Sequence, residues 1–326
     1  MSRPSLSVAS FLALACLFLA GCGATVTGLG PVVRAPAAED HRFHAADGTV
    51  LPFDLWMPER AASSAVIVAL HGFNDYARAF APAAPFWASR GIATYAYDQR
   101  GFGHSATRPL WPGRDALVDD AATFIRLVHA RHPGRPLFLM GESMGGAVAL
   151  LTLAAHRDLP VDGLILLAPA LWRAEDIPFP GTLLLDLAAF AMPWNTLSAL
   201  PGMKIRATDN REALAEMQAD PLMGKDARFD TLQGLVSLMA RAASVEPPMA
   251  LPVLLLYGLN DDIVPFRAIV PLAERARANP RFREIWYDHG YHLLLRDRAG
   301  ARVWRDVATF VVNPDGPLPI STRNGP

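Results

Sequence analysis

Ser143 sits in Gly141-Glu142-Ser143-Met144-Gly145, followed by a further glycine, Gly146. A serine hydroxyl is a weak nucleophile at neutral pH. It attacks a carbonyl when a base takes its proton and a carboxylate orients that base. Both partner types lie downstream. Asp261 and Asp262 follow the apolar run 253–257 and Gly258, and either could orient a histidine or simply form a solvated turn capping the next helix. His289 and His292, in Asp288-His289-Gly290-Tyr291-His292-Leu293-Leu294, are the base candidates. A tetrahedral intermediate also needs N–H donors for its oxyanion. The Met144 amide follows the serine, and the Phe73 amide follows His71-Gly72, directly after the apolar run 65–70.

These residues need elements to hold them. The run 137–140 reads as a strand entering the serine turn, and 147–156 as the helix leaving it. Small residues around Ser143 suit a sharp turn in which strand and helix approach closely. Residues 42–45 and 49–56 form a strand pair around Asp47-Gly48, and 65–70, 92–97, 163–167, 253–257 and 282–287 are further strands. Helical spacing covers 78–90, 116–131, 266–278 and 301–311. Strands alternating with helices predict an α/β fold, with a mostly parallel sheet and helices on both faces. The alternation stops over 171–250, which is too long for a structureless loop and carries helical patterns broken by prolines. It reads as a helical lid inserted between a first core part, 41–170, and a second, 251–313. Residues 314–326 read as a disordered tail.

The 326 residues are 52% hydrophobic and 19% charged, with a formal net charge of -1. No basic block marks a nucleic-acid partner. Cys16 and Cys22 are the two cysteines, so no cysteine nucleophile, disulfide or thiolate metal site falls in the folded body. No zinc-type histidine spacing appears.

The N-terminus reads as a targeting segment. Arg3 precedes an apolar stretch of about 13 residues, too short to span a bilayer and typical of a signal peptide. It ends in Leu19-Ala20-Gly21-Cys22, which resembles a bacterial lipobox. That resemblance implies cleavage of residues 1–21, acylation of Cys22 and, from Gly23, outer-membrane sorting facing the periplasm. An ordinary secretory signal or an uncleaved anchor is the alternative. Residues 22–40 read as a lipidated tether, whose reach as a flexible coil would be roughly 20–25 Å.

Three segments carry a further resemblance: Leu70-His71-Gly72-Phe73-Asn74-Asp75, Asp98-Gln99-Arg100-Gly101-Phe102-Gly103-His104-Ser105 and Gly141-Glu142-Ser143-Met144-Gly145-Gly146. Together they resemble the monoacylglycerol lipase and lysophospholipase branch of the α/β-hydrolases, also labelled serine aminopeptidase S33-like, over about residues 41–312. The resemblance implies the chain order serine, carboxylate, histidine, so His71, His104 and His132 come too early to be the base. Asp261 matches the family's G-x-x-D-x-x-V pattern, and His292 precedes an apolar run as the family histidine does. The implied triad is Ser143, Asp261 and His292, with Phe73 and Met144 as oxyanion donors and no metal or organic cofactor. Asp98–Ser105 is expected to be structural.

The lid segment carries Leu171, Trp172, Ile177, Phe179, Leu183–Leu185, Phe190, Met192, Trp194 and Leu197. Some must pack on the core, and the same apolar surface would suit a single acyl chain. The expected function is hydrolysis of a carboxylic ester, of lysophospholipid or monoacylglycerol type. A peptidase using Glu175 or Asp176 to recognise an amine, and a non-catalytic envelope binding lipoprotein, are the alternatives. The sequence leaves the oligomeric state open.

Overall fold

The computed structural model describes residues 26–59, 63–176, 179–198 and 205–317. Its strands are β1 (Ala37–Glu39), β2 (Arg42–His44), β3 (Val50–Trp56), β4 (Ala65–Leu70), β5 (Ile92–Tyr97), β6 (Leu137–Glu142), β7 (Gly163–Leu167), β8 (Thr196–Ser198), β9 (Asp226–Arg228), β10 (Val253–Gly258) and β11 (Phe282–Tyr287). The helices are α1 (Ala84–Ala88), α2 (Arg114–Arg131), α3 (Met144–Ala155), α4 (Gly181–Ala191), α5 (Arg211–Ala219), α6 (Phe229–Ala243), α7 (Phe266–Ala276) and α8 (Gly300–Val312).

Strands β4, β5, β6, β7 and β10 are buried at every position. A strand covered on both faces reads as a near-continuous apolar run, and these do except for Thr94 in β5 and Glu142 at the end of β6. Alternate residues serve opposite layers. Val66, Val68 and Leu70 pack with α2, α3, α6 and α7, while Ile67 and Ala69 pack with α1 and α8. The sheet order is β1-β2-β3-β5-β4-β6-β7-β10-β11. The strands from β5 to β11 are joined in parallel, and β1, β2 and β3 extend the sheet antiparallel.

The chain runs from β4 outward to β5 and then returns to β6 on the other side of β4. The connections after β4 and β6 therefore leave in opposite directions and open a crevice at the carboxyl ends of the two strands. Such a switch point is where doubly wound sheets bind ligands. Phe73 follows β4 and Ser143 follows β6, so strand order alone brings them to one crevice.

Three differences from the sequence reading have local causes. Residues 78–90 were expected to form one helix. They instead form a 3₁₀ turn, Ala77–Phe80, and then α1. Pro82 lies between them, and proline lacks the amide that a helix interior needs. Residues 26–40 were expected to be a loose tether, yet they dock on the domain. Thr27 and Gly28 donate to the Trp111 and Pro112 carbonyls at 3.0 and 3.1 Å, and β1 joins the sheet. Backbone hydrogen bonds need no side-chain period, so this strand left no mark in the residue pattern. Within 171–250, β8 and β9 pair antiparallel. Each has three residues, too few to show alternation.

Asp315, read as part of the tail, pairs with Arg281 at 2.7 Å. The signal sequence, Cys22 and Ile177 lie outside the described residues.

Candidate active site

Ser143 occupies the turn between β6 and α3 with φ 53°, a conformation few non-glycine residues adopt. Strain of this kind persists only where surrounding contacts over-determine it. The Ser143 amide donates to the Leu167 carbonyl at 2.9 Å, and its own carbonyl accepts from Gly146 and Ala170, each at 2.9 Å. The flanking glycines are a packing requirement. A Cβ on Gly145 would run into the Leu70 carbonyl, and one on Gly141 into the Gly145 backbone. The turn can form only with hydrogen at those positions.

Asp261 and His292 are brought together from the ends of β10 and β11. His292 Nδ1 lies 2.7 Å from Asp261 Oδ2, and both side chains are almost wholly shielded from water. The other carboxylate oxygen, Oδ1, accepts from the Ile263 and Val264 amides at 2.8 and 2.9 Å. A carboxylate held on both oxygens accepts from the ring, so the proton sits on Nδ1 and Nε2 is left as the basic atom. Burial by itself opposes a charged His292 ring, but the adjacent Asp261 carboxylate outweighs it and the net shift is upward. Asp262 points elsewhere, accepting from the Arg206 amide at 3.3 Å, and His289 is exposed.

Ser143 and His292 line one cavity of about 470 Å³. No hydrogen bond joins their side chains among the described residues. Catalytic hydrogen bonds are often long without substrate and tighten in the complex. Phe73 and Met144 line the same cavity. Among the described residues, neither amide donates to a backbone or side-chain acceptor, as a preformed anion cradle requires.

His71 holds the Phe73 loop. Its Nε2 accepts from the Gln99 amide at 2.9 Å, which places the ring proton on Nδ1, and Nδ1 donates to the Gly72 carbonyl at 2.8 Å. Burial holds its pKa below the usual histidine range, so the ring stays neutral and keeps that tautomer. Gly72 packs so closely on Ser143 that a Cβ there would sit 3.3 Å from the serine Cβ. The Asp98–Ser105 stretch forms a buried turn. Arg100 reaches Asp120 at 2.9 Å and Asp47 at 2.8 Å, and Gly101 and Gly103 take φ of 86° and 54°.

Two features escaped the sequence reading. The first is Glu142, wholly buried beside the serine, with neither carboxylate oxygen hydrogen-bonded among the described residues. Burial pushes its pKa from 4.5 up to about 7, against the pull of Arg296. Nothing in the residue pattern distinguishes an isolated buried glutamate from a surface one. The second is the source of the cavity wall. Of the apolar lid residues named above, Trp172 lines it, whereas Leu183, Leu184 and Phe190 are exposed, as is Leu187 beside them. Helix α6 supplies one stretch of the apolar lining, through Leu232, Leu235, Val236 and Met239. Their spacing of three and four residues marks one helix face and was the available signal.

Glu175 and Asp176 do not line the cavity. Glu175 pairs with Arg173 at 2.9 Å, and Asp176 lies 3.9 Å from Arg267. Among the described residues no group of three or more His, Cys, Asp or Glu side chains is placed to hold a metal ion.

Comparison with known proteins agrees with this fold. The chain is 27% identical to mouse monoglyceride lipase over 262 residues, covering 77% of this chain and 82% of that protein. It is 26% identical to the monoacylglycerol lipase of Mycolicibacterium smegmatis over 286 residues, covering 84% of this chain and 97% of that protein. Among solved structures, a soluble variant of monoglyceride lipase from Saccharomyces cerevisiae in complex with a substrate analog superposes with a TM-score of 0.71. It covers 87% of this chain and 97% of its own at 17% identity, which is a likeness of fold. The family described as Serine aminopeptidase, S33 matches residues 61–299. With its switched parallel sheet and a serine turn at the end of β6, the chain belongs to this family of α/β-hydrolases.

Proposed function

We propose that the protein is a serine carboxylic-ester hydrolase acting on a single-chain lipid ester. The observation that carries this reading is the His292–Asp261 pair at 2.7 Å, on one largely apolar cavity with Ser143. Ser143 Oγ attacks the ester carbonyl, and His292 Nε2 takes its proton. The carbonyl oxygen becomes an oxyanion between the Phe73 and Met144 amides. Collapse expels the alcohol, which leaves with the proton from His292, and Ser143 is acylated. Water, deprotonated by His292, then releases the fatty acid and restores the serine.

The apolar wall supports an acyl substrate. Burying each CH₂ stabilises the complex by about 0.8 kcal/mol, so a chain of about ten carbons contributes on the order of 8 kcal/mol before ordering costs. The similarity to monoglyceride and monoacylglycerol lipases points the same way. The peptidase reading loses its amine-binding carboxylates, since Glu175 and Asp176 are turned to arginines outside the cavity.

Segment 171–250 is proposed to act as the lid over this cavity. Its helix α4 exposes Leu183, Leu184, Leu187 and Phe190 on its surface, a patch that suits contact with lipid. The sequence Leu19-Ala20-Gly21-Cys22 is proposed as a lipobox, with Cys22 acylated and the enzyme held at the envelope membrane. Two acyl signals or more give stable anchoring.

A fluorophosphonate probe tests the chemistry. It should label the wild-type protein at Ser143 and leave Ser143→Ala unlabelled. Turnover of a monoacylglycerol should vanish in the same variant while its circular dichroism is unchanged. Substantial residual turnover would remove Ser143 from the mechanism. A Cys22→Ser variant that still partitions with membranes would sink the anchoring proposal.

A further inference from the structure

A second cavity, of about 320 Å³, adjoins the one at Ser143, and Asn74 and Met223 line both. Asn74 immediately follows the proposed oxyanion donor, Phe73. Its carbonyl accepts from the Gly224 amide at 2.8 Å, and Gly224 leaves no room for a Cβ against the Asn74 side chain. Asn74 and Met223 thus stand where the two cavities meet. Phe73 and Phe102 meet edge to face at 5.5 Å between their centroids, and Phe102 faces the second cavity.

The chemistry of the two cavities differs. Arg108, Lys225 and Arg228 all line the second one. Arg228 is held by Asp230 through contacts of 2.9 and 2.7 Å. Arg108 donates to the Pro221 carbonyl at 2.8 Å, and among the described residues neither it nor Lys225 forms an ion pair. Asp226 is the one carboxylate in the lining among the described residues, and its Oδ1 accepts from Ser198. Three cations against Asp226 and Asp230 leave a net positive charge. A larger cavity of about 750 Å³ also meets the Ser143 cavity, at Met217 and Met223, but among the described residues its three arginines are outnumbered by four carboxylates. An anionic group leaving the Ser143 cavity is therefore favoured toward Arg108 and Lys225.

We infer that this basic cavity binds the phosphate of a lysophospholipid head group while the acyl chain lies against α6. This rests on the ester-hydrolase reading and narrows its substrate class. The ester carbonyl sits at Ser143, the glycerol passes Asn74 and Met223, and the phosphodiester meets the two cations that lack carboxylate partners. Charge-assisted hydrogen bonds to phosphate are stronger than neutral ones. Arg108 and Lys225 are exposed, so salt screens them.

The test compares decanoyl lysophosphatidylglycerol with monodecanoylglycerol, both below micelle-forming concentrations. The ratio of their kcat/KM values should favour the phospholipid at low salt and fall as salt rises. The double variant Arg108→Gln/Lys225→Gln should lower that ratio by about tenfold, through KM. The variant Arg108→Lys/Lys225→Arg, which keeps both charges, should retain it. A ratio indifferent to salt, or unchanged in the glutamine variant, overturns the assignment. So does saturable inhibition by free glycerol 3-phosphate without any preference for the phospholipid, since the cavity would then serve a free phosphate ester. Absence of turnover on both esters, with Ser143 unlabelled by fluorophosphonate, overturns the hydrolase reading itself and the head-group assignment with it.

Discussion

Asp261 Oδ2 lies 2.7 Å from His292 Nδ1, while Asp261 Oδ1 is held by the amides of Ile263 and Val264. The carboxylate cannot rotate away without abandoning those amides, so it holds the imidazole in one tautomer. Asp261→Asn offers the ring an amide in place of an acceptor that is negative on both oxygens. We expect kcat to fall by about 10⁴, as is typical when a triad carboxylate is replaced by its amide. Asp262→Asn, at an exposed side chain facing Arg206, should stay within about twofold. Ester turnover of the two purified variants checks the contrast, and equal losses would remove Asp261 from its role.

Glu142 predicts a pH dependence of both activity and stability. Its folded pKa is raised from 4.5 to about 7 by burial, so its contribution to stability is fully present below pH 4.5 and lost as pH rises through about 7. Glu142→Gln removes that loss. The stability of the variant relative to wild type should improve between these limits by on the order of 3 kcal/mol, read as a growing gap in Tm. Ionised Glu142 also helps to raise the His292 pKa, so the acid limb of kcat/KM should move to lower pH in the variant. A Tm gap that is flat with pH would show that Glu142 does not titrate in this range.

Arg100 is buried between Asp120 and Asp47, making paired contacts of 2.9 Å with the first. Arg100→Ala would leave two shielded carboxylates without a cation. The expected cost is about 3–5 kcal/mol, measured as a lower denaturant midpoint. Arg100→Lys should recover part of it, because a lysine cannot make the paired contact. A loss below about 1 kcal/mol would show that the network is dispensable.

Helix α4 predicts a separation between soluble and membrane-presented substrate. Leu184 and Leu187 are 59% and 55% exposed, so replacing both with serine should not disturb the core. Turnover of a short soluble ester should be unchanged, while turnover of monoacylglycerol in vesicles should fall severalfold. Equal rates on vesicles would show that this face does not meet lipid.

The residues nominated for chemistry were legible because their signals are local. A serine among glycines after an apolar strand marks a strained turn, since only hydrogen fits against Leu70 and Gly145. Strands β4 and β7 were readable to the residue because burial on both faces of a sheet demands apolar runs of strand length. Residue pattern alone did not choose between Asp261 and Asp262, or between His289 and His292. That choice needed the family pattern, and the structure brings Asp261 and His292 together.

What the chain determined by itself was therefore the order of elements, the serine turn and a short roster of partners. The tertiary structure decided what faces what. It docked residues 26–40 on the domain and put α6, rather than the apolar stretch 179–197, against the Ser143 cavity. It left Glu142 buried without a hydrogen bond and set Arg108 and Lys225 around one cavity from positions distant in the chain. The physical reason is the same in each case. Burial and charge balance are properties of neighbours in space, and the spacing of residues along one chain reports neighbours only within a single helix or strand.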